Sequence, residues 1–455
     1  MMDFTTLVSQ QKTYYYTGIT KTYEHRIKAL KSLKEAIINF EPKIYEALYA
    51  DLGKSKEEAF LTEIGLVLSE ITEAIKHLKH WMKPKRVKTP LVLFKAKSML
   101  YRDPLGTVLI LSPWNYPFQL AINPLVGALA AGNTAIVKPS SSSEQTAKVI
   151  DEMLKSVFEP QFVTTVLGSA TLAEQLLHEK VDHIFFTGSI PVGKKVMQIA
   201  SENLTPITLE LGGKSPCIID MDTNIEMTAK RIAFGKLINA GQTCIAPDYV
   251  LIRPELKADF IQYYQKAVKS FYGDDPLTAA HYPKIISKRH VERLMGLTQN
   301  EQIVLGGTTD GVKIAPTILD NITFDSKVMQ EEIFGPILPL IDYQNIDDVI
   351  ETLRTKDKPL AFYLFTNNKT FQDKVIGALS FGGGTVNDTL MHFANHYLGF
   401  GGVGHSGMGN YHGIRSFNTF THEKSALIRS IRVDLPMRYH PISKLSDKIV
   451  RRILK

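Results

Sequence analysis

A chain of 455 residues, 44% hydrophobic and 22% charged, with 22 Phe and 18 Tyr, is about three times the length of a typical domain and too apolar to be disordered. A formal charge of +7 and a pI near 9.0 form a mild, dispersed excess, read as solubility or affinity for anionic ligands rather than nucleic-acid binding. Two cysteines, Cys217 and Cys244, exclude a disulfide framework and fit a reducing compartment, by default the cytoplasm. The first residues, MMDFTTLVSQQKTYYY, do not read as a leader, and no apolar run reads as a membrane span.

In chain order, YEHRIKALKSLKEAIINF and FLTEIGLVLSEITEAIKHLKHW space their apolar residues as covering helices, and 88–103 reads as one or two strands leaving that layer. A strict alternation follows. Strands GTVLIL, TAIVKP, FVTTVLG, HIFFTG and TPITLELG are separated by helices, which implies a parallel sheet wound on both faces with its ligand beyond the carboxyl ends of the strands. After Gly213 a second alternation runs through SPCIID, a helix at 225–240, DYVLIR, the helix ADFIQYYQKAVKSFYG and FYLFT. The closing segment GIRSFNTFTHEKSALIRSIRV reads as extended and able to join 88–103 in a small sheet. The expected fold is therefore α/β, with two doubly wound parallel-sheet domains and a small β element. Residues 1–84 and 102–210 form the Rossmann-like cofactor domain, 211–412 the catalytic domain, 85–101 and 413–438 the bridging or oligomerisation element, and 439–455 a basic amphipathic tail.

Cys244 lies in NAGQTCIAPDYV among amide and small residues, an unusual setting for a thiol used only as packing, whereas Cys217 sits inside the apolar run SPCIID. A thiol is mostly protonated at neutral pH, so a nucleophilic Cys244 needs a base or a positive field. Glu210, closing an apolar strand before Gly-Gly, is one candidate, and Glu331 or Glu332 in MQEEIFGP are others. Asn115 in SPWNYP can offer an amide to an oxyanion or cap a helix. Lys138 ends the strand TAIVKP facing the same cleft, and TGSIPVG starts a helix at a position suited to an anion. The glycine-rich FGGVGHSG matches a dinucleotide fingerprint only in spacing, since no strand precedes it and no helix follows, and the histidines have no metal-ligand spacing.

Taken in order, PWNYP, VKPS, FTGS with Gly193, LELGGKSP, NAGQTC and QEEIFGP resemble the aldehyde dehydrogenase superfamily over nearly the whole chain. NDTLMHFAN, FGGVGHSGMGNYHG, SFNTFTHEK and LPMRY look most like its class 3 branch of fatty and aromatic aldehyde dehydrogenases. The resemblance implies that Cys244 is the nucleophile, that Asn115 and the cysteine's backbone amide form the oxyanion hole, and that Glu210 is the general base, with a base role for Glu332 also conceivable. It further implies that Glu332 and Phe334 hold the nicotinamide ribose and ring, that Trp114 lines that pocket, and that Lys138, Gly188 and Ser189 contact the adenosine ribose and pyrophosphate, with Gly193 just beyond.

Ser141 departs from the pattern, since many relatives carry a ribose-binding glutamate there. A missing carboxylate removes the repulsion against a 2′-phosphate, so both NAD⁺ and NADP⁺ are expected as cofactors. The class 3 likeness implies a homodimer acting on a small-molecule aldehyde. The tail KLSDKIVRRILK places Leu445, Ile449 and Ile453 on one helical face and Lys444, Lys448, Arg451 and Lys455 opposite; it reads either as a helix docked on its own protein or as a peripheral membrane contact. Two other functional readings stand beside oxidation to the acid: transfer of the acyl group to coenzyme A, and a non-catalytic binding protein.

Overall fold

The computed structural model describes residues 3–432, 434 and 439–454. Leu435 to Arg438 of the LPMRY motif and Lys455 of the tail lie outside the described residues. The described residues form three sheets. In the first, the strands stand in the order Gly407–Met408, Ile207–Glu210, His183–Thr187, Thr107–Leu111, Thr134–Lys138 and Val163–Thr165. All are parallel except Gly407–Met408, which runs antiparallel to Ile207–Glu210. That strand comes from the glycine-rich stretch assigned by sequence to the second unit.

Strand order reverses between Thr107–Leu111 and His183–Thr187, so the loops leaving those two strands diverge to opposite faces and open a crevice between them. All five residues of Thr107–Leu111 and of His183–Thr187 are buried, as parallel strands covered by helices on both faces must be. The helix Gln119–Ala131 is buried at every position and apolar all round except for Gln119 and Asn123, which explains why its sequence shows no amphipathic stripe.

The second sheet has the order Gln302–Leu305, Thr317–Asp320, Ile337–Asp342, Tyr249–Ile252, Pro216–Ile219, Ala361–Phe365 and Gly383–Val386. It is parallel except for the antiparallel edge strand Gln302–Leu305. Only a few residues separate Glu210, the carboxyl end of one sheet, from Pro216, the amino end of the other. The loop from Ile238 to Asp248, which carries Cys244, enters the second sheet at that same amino end, where the Asp248 N–H donates to the Ser215 carbonyl. The thiol is thereby brought to the junction of the sheets.

The third sheet is antiparallel and joins Lys85–Val87, Ala96–Pro104 and Thr421–Arg429, the last two in register over nine residues from Thr421 opposite Pro104 to Arg429 opposite Ala96. The structure corrects three local expectations. Ile414–Thr419 is a helix, not a strand, because Phe417 and Phe420 turn into the core while Ser416 bonds back to the backbone of His412. Leu91–Leu93 forms a helical turn inside the expected strand, started by Pro90, which fixes its own φ and lacks a ladder donor. The helix expected through residue 240 stops at Leu237, and Asn239, Ala240 and Gly241 follow with φ of 53°, 51° and 74°.

Candidate active site

Those three left-handed residues turn the chain sharply before the thiol. Glycine is required at 241, since a Cβ there would lie 2.3 Å from the Gly335 carbonyl oxygen. Amides close the turn. Asn239 Nδ2 donates to the carbonyls of Asn115 (2.8 Å) and Gln242 (3.1 Å), and Gln242 Nε2 donates to those of Asn239 (3.0 Å) and Lys284 (3.1 Å). The loop after Thr107–Leu111 comes from the other sheet to meet it. Asn115 is buried with Nδ2 donating to the Gln242 carbonyl at 3.0 Å, and the Tyr116 and Thr243 hydroxyls lie 2.6 Å apart.

Cys244 and Glu210 both face one cavity of about 630 Å³, with Tyr116, Phe234, Ile238, Phe393, Phe400 and Tyr411 among its walls. The Glu210 side chain is buried, and neither of its carboxylate oxygens has a hydrogen-bond partner among the described residues. Burial drives its pKa well above the usual carboxylate value. Burial also pushes the half-buried Cys244 thiol upward, helped by the charges of Glu332 and Glu210, while the backbone N–H groups of Cys244 and Ile245 pull the other way. A thiol held this way favours its protonated form, so any nucleophilic role would need groups that accept its proton or stabilise its anion. Cys217, by contrast, is fully buried within the strand Pro216–Ile219.

Glu332 lies beside this centre. A Cβ at Gly212 would approach its Oε2 at 2.1 Å, so only glycine lets that carboxylate reach the backbone after Glu210. Burial pushes Glu332 up to about 8, reinforced by Asp248 and opposed by the Gly213 N–H, Lys214 and Arg293. Phe334, held at φ 54°, meets Trp114 edge to face with ring centroids 5.5 Å apart, and His290 packs on the same indole at 5.1 Å. Glu331 is exposed and pairs with Arg293 at 3.0 Å, away from the cavity.

Gly188 and Ser189 separate the end of His183–Thr187 from the helix Ile190–Glu202, with Pro191 in its first turn and Gly193 packed so tightly that a Cβ would meet Leu211 at 2.6 Å. Buried Lys138 donates to the carbonyls of Pro139 (3.0 Å) and Gly168 (2.7 Å), and Ser141 beyond it is exposed. A helix terminus beside a lysine, both at the carboxyl end of the sheet, fits a dinucleotide, since its pyrophosphate is an anion that seeks free backbone N–H groups. Among the described residues no group of three or more His, Cys, Asp or Glu side chains is placed to hold a metal ion.

Sequence reasoning took the N-terminal helices as covering layers and missed three of their side chains, Lys54, Glu58 and Glu63. Lys54 and Glu63 are fully buried, and all three bond to the two loops of the site. A glutamate inside the apolar run FLTEIGLVL was the available signal. Lys236 was also missed. It is fully buried with no hydrogen-bond partner for its ammonium among the described residues, and burial lowers its pKa to about 8 against the pull of Asp248 and Glu332.

Fold and site together place a thiol and an unpartnered buried carboxylate in one cavity at the junction of two large α/β sheets. A model of the aldehyde dehydrogenase family matches residues 14–426, and the chain belongs to that family. Its class 3 relatives include the 4,4'-diaponeurosporen-aldehyde dehydrogenase of Staphylococcus aureus, 49% identical over 434 residues covering 94% of this chain and 95% of that protein. The dimeric NADP-preferring aldehyde dehydrogenase of Canis lupus familiaris is 40% identical over 445 residues, covering 97% of this chain and 98% of that one. The substrate-bound structure of Staphylococcus aureus AldH superposes with a TM-score of 0.98 at 47% identity, with 100% of both chains covered. The protein is an enzyme that oxidises aldehydes to carboxylic acids.

Proposed function

We propose that this oxidation acts on medium or long aliphatic, or aromatic, aldehydes and runs through a thioester on Cys244, with either NAD⁺ or NADP⁺ as acceptor. The observation that carries it is one apolar cavity holding both the thiol and an unpartnered buried carboxylate. Aromatic and aliphatic walls favour an apolar substrate chain. Cys244 gives up its proton to Glu210 or Glu332, the carboxylates whose charges it feels, and its sulfur attacks the carbonyl carbon while its own backbone N–H and the Asn115 amide stabilise the oxygen that gains charge. Bound nicotinamide supplies the hydride acceptor. Glu210 then takes a proton from the water that cleaves the thioester, a task suited to a carboxylate with a raised pKa. Its place in the cavity supports water, not coenzyme A, as the acyl acceptor.

Lys138, Gly188 and Ser189 would hold the adenosine ribose and pyrophosphate, Glu332 and Phe334 the nicotinamide ribose and ring, and Trp114 would line that pocket. The exposed Ser141 hydroxyl carries no charge against a 2′-phosphate, which supports use of both cofactors. The reading is tested by following reduced-cofactor formation over an aldehyde panel with the parent and Cys244→Ser. Turnover that collapses in the variant is expected, and undiminished turnover removes the proposed nucleophile.

The protein is further read as a cytoplasmic homodimer, with both cysteines free. Thr421–Arg429 pairs along one edge only among the described residues and exposes Leu427 and Ile428, a surface suited to a second copy. Light scattering that gives a monomer mass overturns the dimer. The helix Lys444–Leu454 rests on the Leu91–Leu93 turn, with no described side chain buried. Exposed Leu445 and Ile453, with Lys444, Lys448 and Arg451, complement an anionic bilayer. Co-sedimentation with phosphatidylserine vesicles that depends on residues 440–455 is expected; equal pelleting without them removes the membrane contact.

A further inference from the structure

We propose that buried Lys54 and Glu63, with half-buried Glu58, form a clamp that holds the Asn115 loop against the left-handed turn before Cys244, and that Glu58 is thereby a positioning residue for the thiol. All three belong to an N-terminal segment that contributes no strand to either large sheet. Lys54 precedes the short helix Lys56–Ala59, which runs through a π-helical turn at Phe60–Ile64 into the helix Gly65–Trp81. The π turn adds a residue to the local repeat and divides the side chains between two faces. Leu61 and Thr62 face the substrate cavity, while Glu63 points inward.

Both ends of the clamp are fully used. Lys54 Nζ donates to Glu63 Oε1 at 2.5 Å and to the Asn115 carbonyl at 3.2 Å, and sits 4.0 Å from the centroid of the Tyr116 ring. Glu63 Oε2 accepts the N–H groups of Phe118 (2.8 Å) and Gln119 (3.2 Å), where the Asn115 loop enters its helix. On the other side, Glu58 Oε1 accepts the Asn239 N–H at 2.8 Å, at the first left-handed residue. The Asn115 carbonyl thus receives both Lys54 and the Asn239 amide, so one oxygen ties the clamp to both loops.

The turn needs such a tie. Ala240 is a buried residue with a Cβ at φ 51°, a conformation that alanine adopts only under external constraint. Were the turn to relax, the backbone N–H groups that face the Cys244 sulfur would move with it. Glu58 touches neither cavity nor sulfur and acts only through the backbone it holds. The inference rests on Cys244 as nucleophile, but its test needs neither aldehyde nor cofactor.

That test is the rate at which iodoacetamide alkylates Cys244, followed by peptide mass so that buried Cys217 is counted apart. Glu58→Gln keeps the reach of the acceptor oxygen and loses the charge; Glu58→Asp keeps the charge and falls one methylene short. The clamp predicts that Asp slows alkylation and kcat together by about tenfold or more, that Gln stays within about threefold of the parent, and that the cofactor KM holds within about twofold in both. Ala240→Gly, which relieves the left-handed strain, recovers part of the rate in the Asp background. Alkylation at the parent rate in Glu58→Asp, Gln as slow as Asp, or no recovery with Ala240→Gly overturns the clamp. A parent that alkylates normally yet oxidises no aldehyde overturns the functional reading instead.

Discussion

Two buried carboxylates on either side of the thiol loop could hardly differ more. Glu63 spends both oxygens, one on Lys54 and one on two backbone N–H groups, whereas Glu210 is just as deeply buried and has no partner among the described residues. An unpartnered buried carboxylate costs stability, so a fold retains one only where another pressure opposes its loss. A saturated carboxylate is a structural tie, its acceptor oxygens already occupied. The polar groups behind the loop hold the backbone, and the orphaned one inside the cavity suits the proposed role of general base.

Substitutions can break that contrast. The largest effect is expected from Glu210→Gln, which removes the proposed proton acceptor without changing shape. Steady-state kcat should fall by about 10²-fold or more while the first turnover still releases reduced cofactor as a burst. Loss of the burst along with kcat would move Glu210 out of the hydrolytic step. Asn115→Ala should cost kcat/KM about 10²-fold, the usual loss for one oxyanion donor, with part of it arising because the Gln242 carbonyl loses one of its two amide donors and keeps only Asn239. Retained kcat/KM would make Asn115 a purely structural amide.

A smaller change sharpens the comparison on the cofactor side. Ser141→Glu places a carboxylate where a 2′-phosphate would lie, and the ratio of kcat/KM for NADP⁺ over NAD⁺ should drop about tenfold, ~1.4 kcal/mol. An unchanged ratio would separate Ser141 from cofactor choice.

The smallest effect is thermal. Glu210 has a folded pKa raised above its ordinary value of 4.5, so its favourable contribution is complete below that value and is lost as pH rises toward the folded pKa. Replacing it with Gln removes the loss. Melting temperature should therefore rise by about 2 °C at pH 8, with almost no gain at pH 4.5. A gain of equal size at both pH values would show that ionisation is not the cause.

Much of this was legible in the sequence. The strand–helix alternation in Thr107–Glu210 gave the first sheet because each strand is buried on both faces and reads as a short apolar run bounded by Gly, Ser and Pro. Cys244 stood out because a lone thiol among amides is chemically odd, and Glu210 because it ends an apolar strand. What stayed hidden depends on distant partners. Glu58 looks like any charge on a solvated helix until Asn239, far along the chain, is folded against it. The left-handed Ala240 has no local signature, since its conformation is imposed by tertiary contacts that override propensity. The helix at Ile414–Thr419 was hidden behind β-rich composition for the same reason.

The account rests on acyl transfer through one sulfur. The most direct measurement is intact and peptide mass analysis of Glu210→Gln after exposure to an aldehyde and oxidised cofactor, a variant in which thioester cleavage is slow. The account predicts a mass increment equal to the acyl group, located on the peptide carrying Cys244 and absent when cofactor is omitted. No adduct, or one carried by another residue, would contradict it.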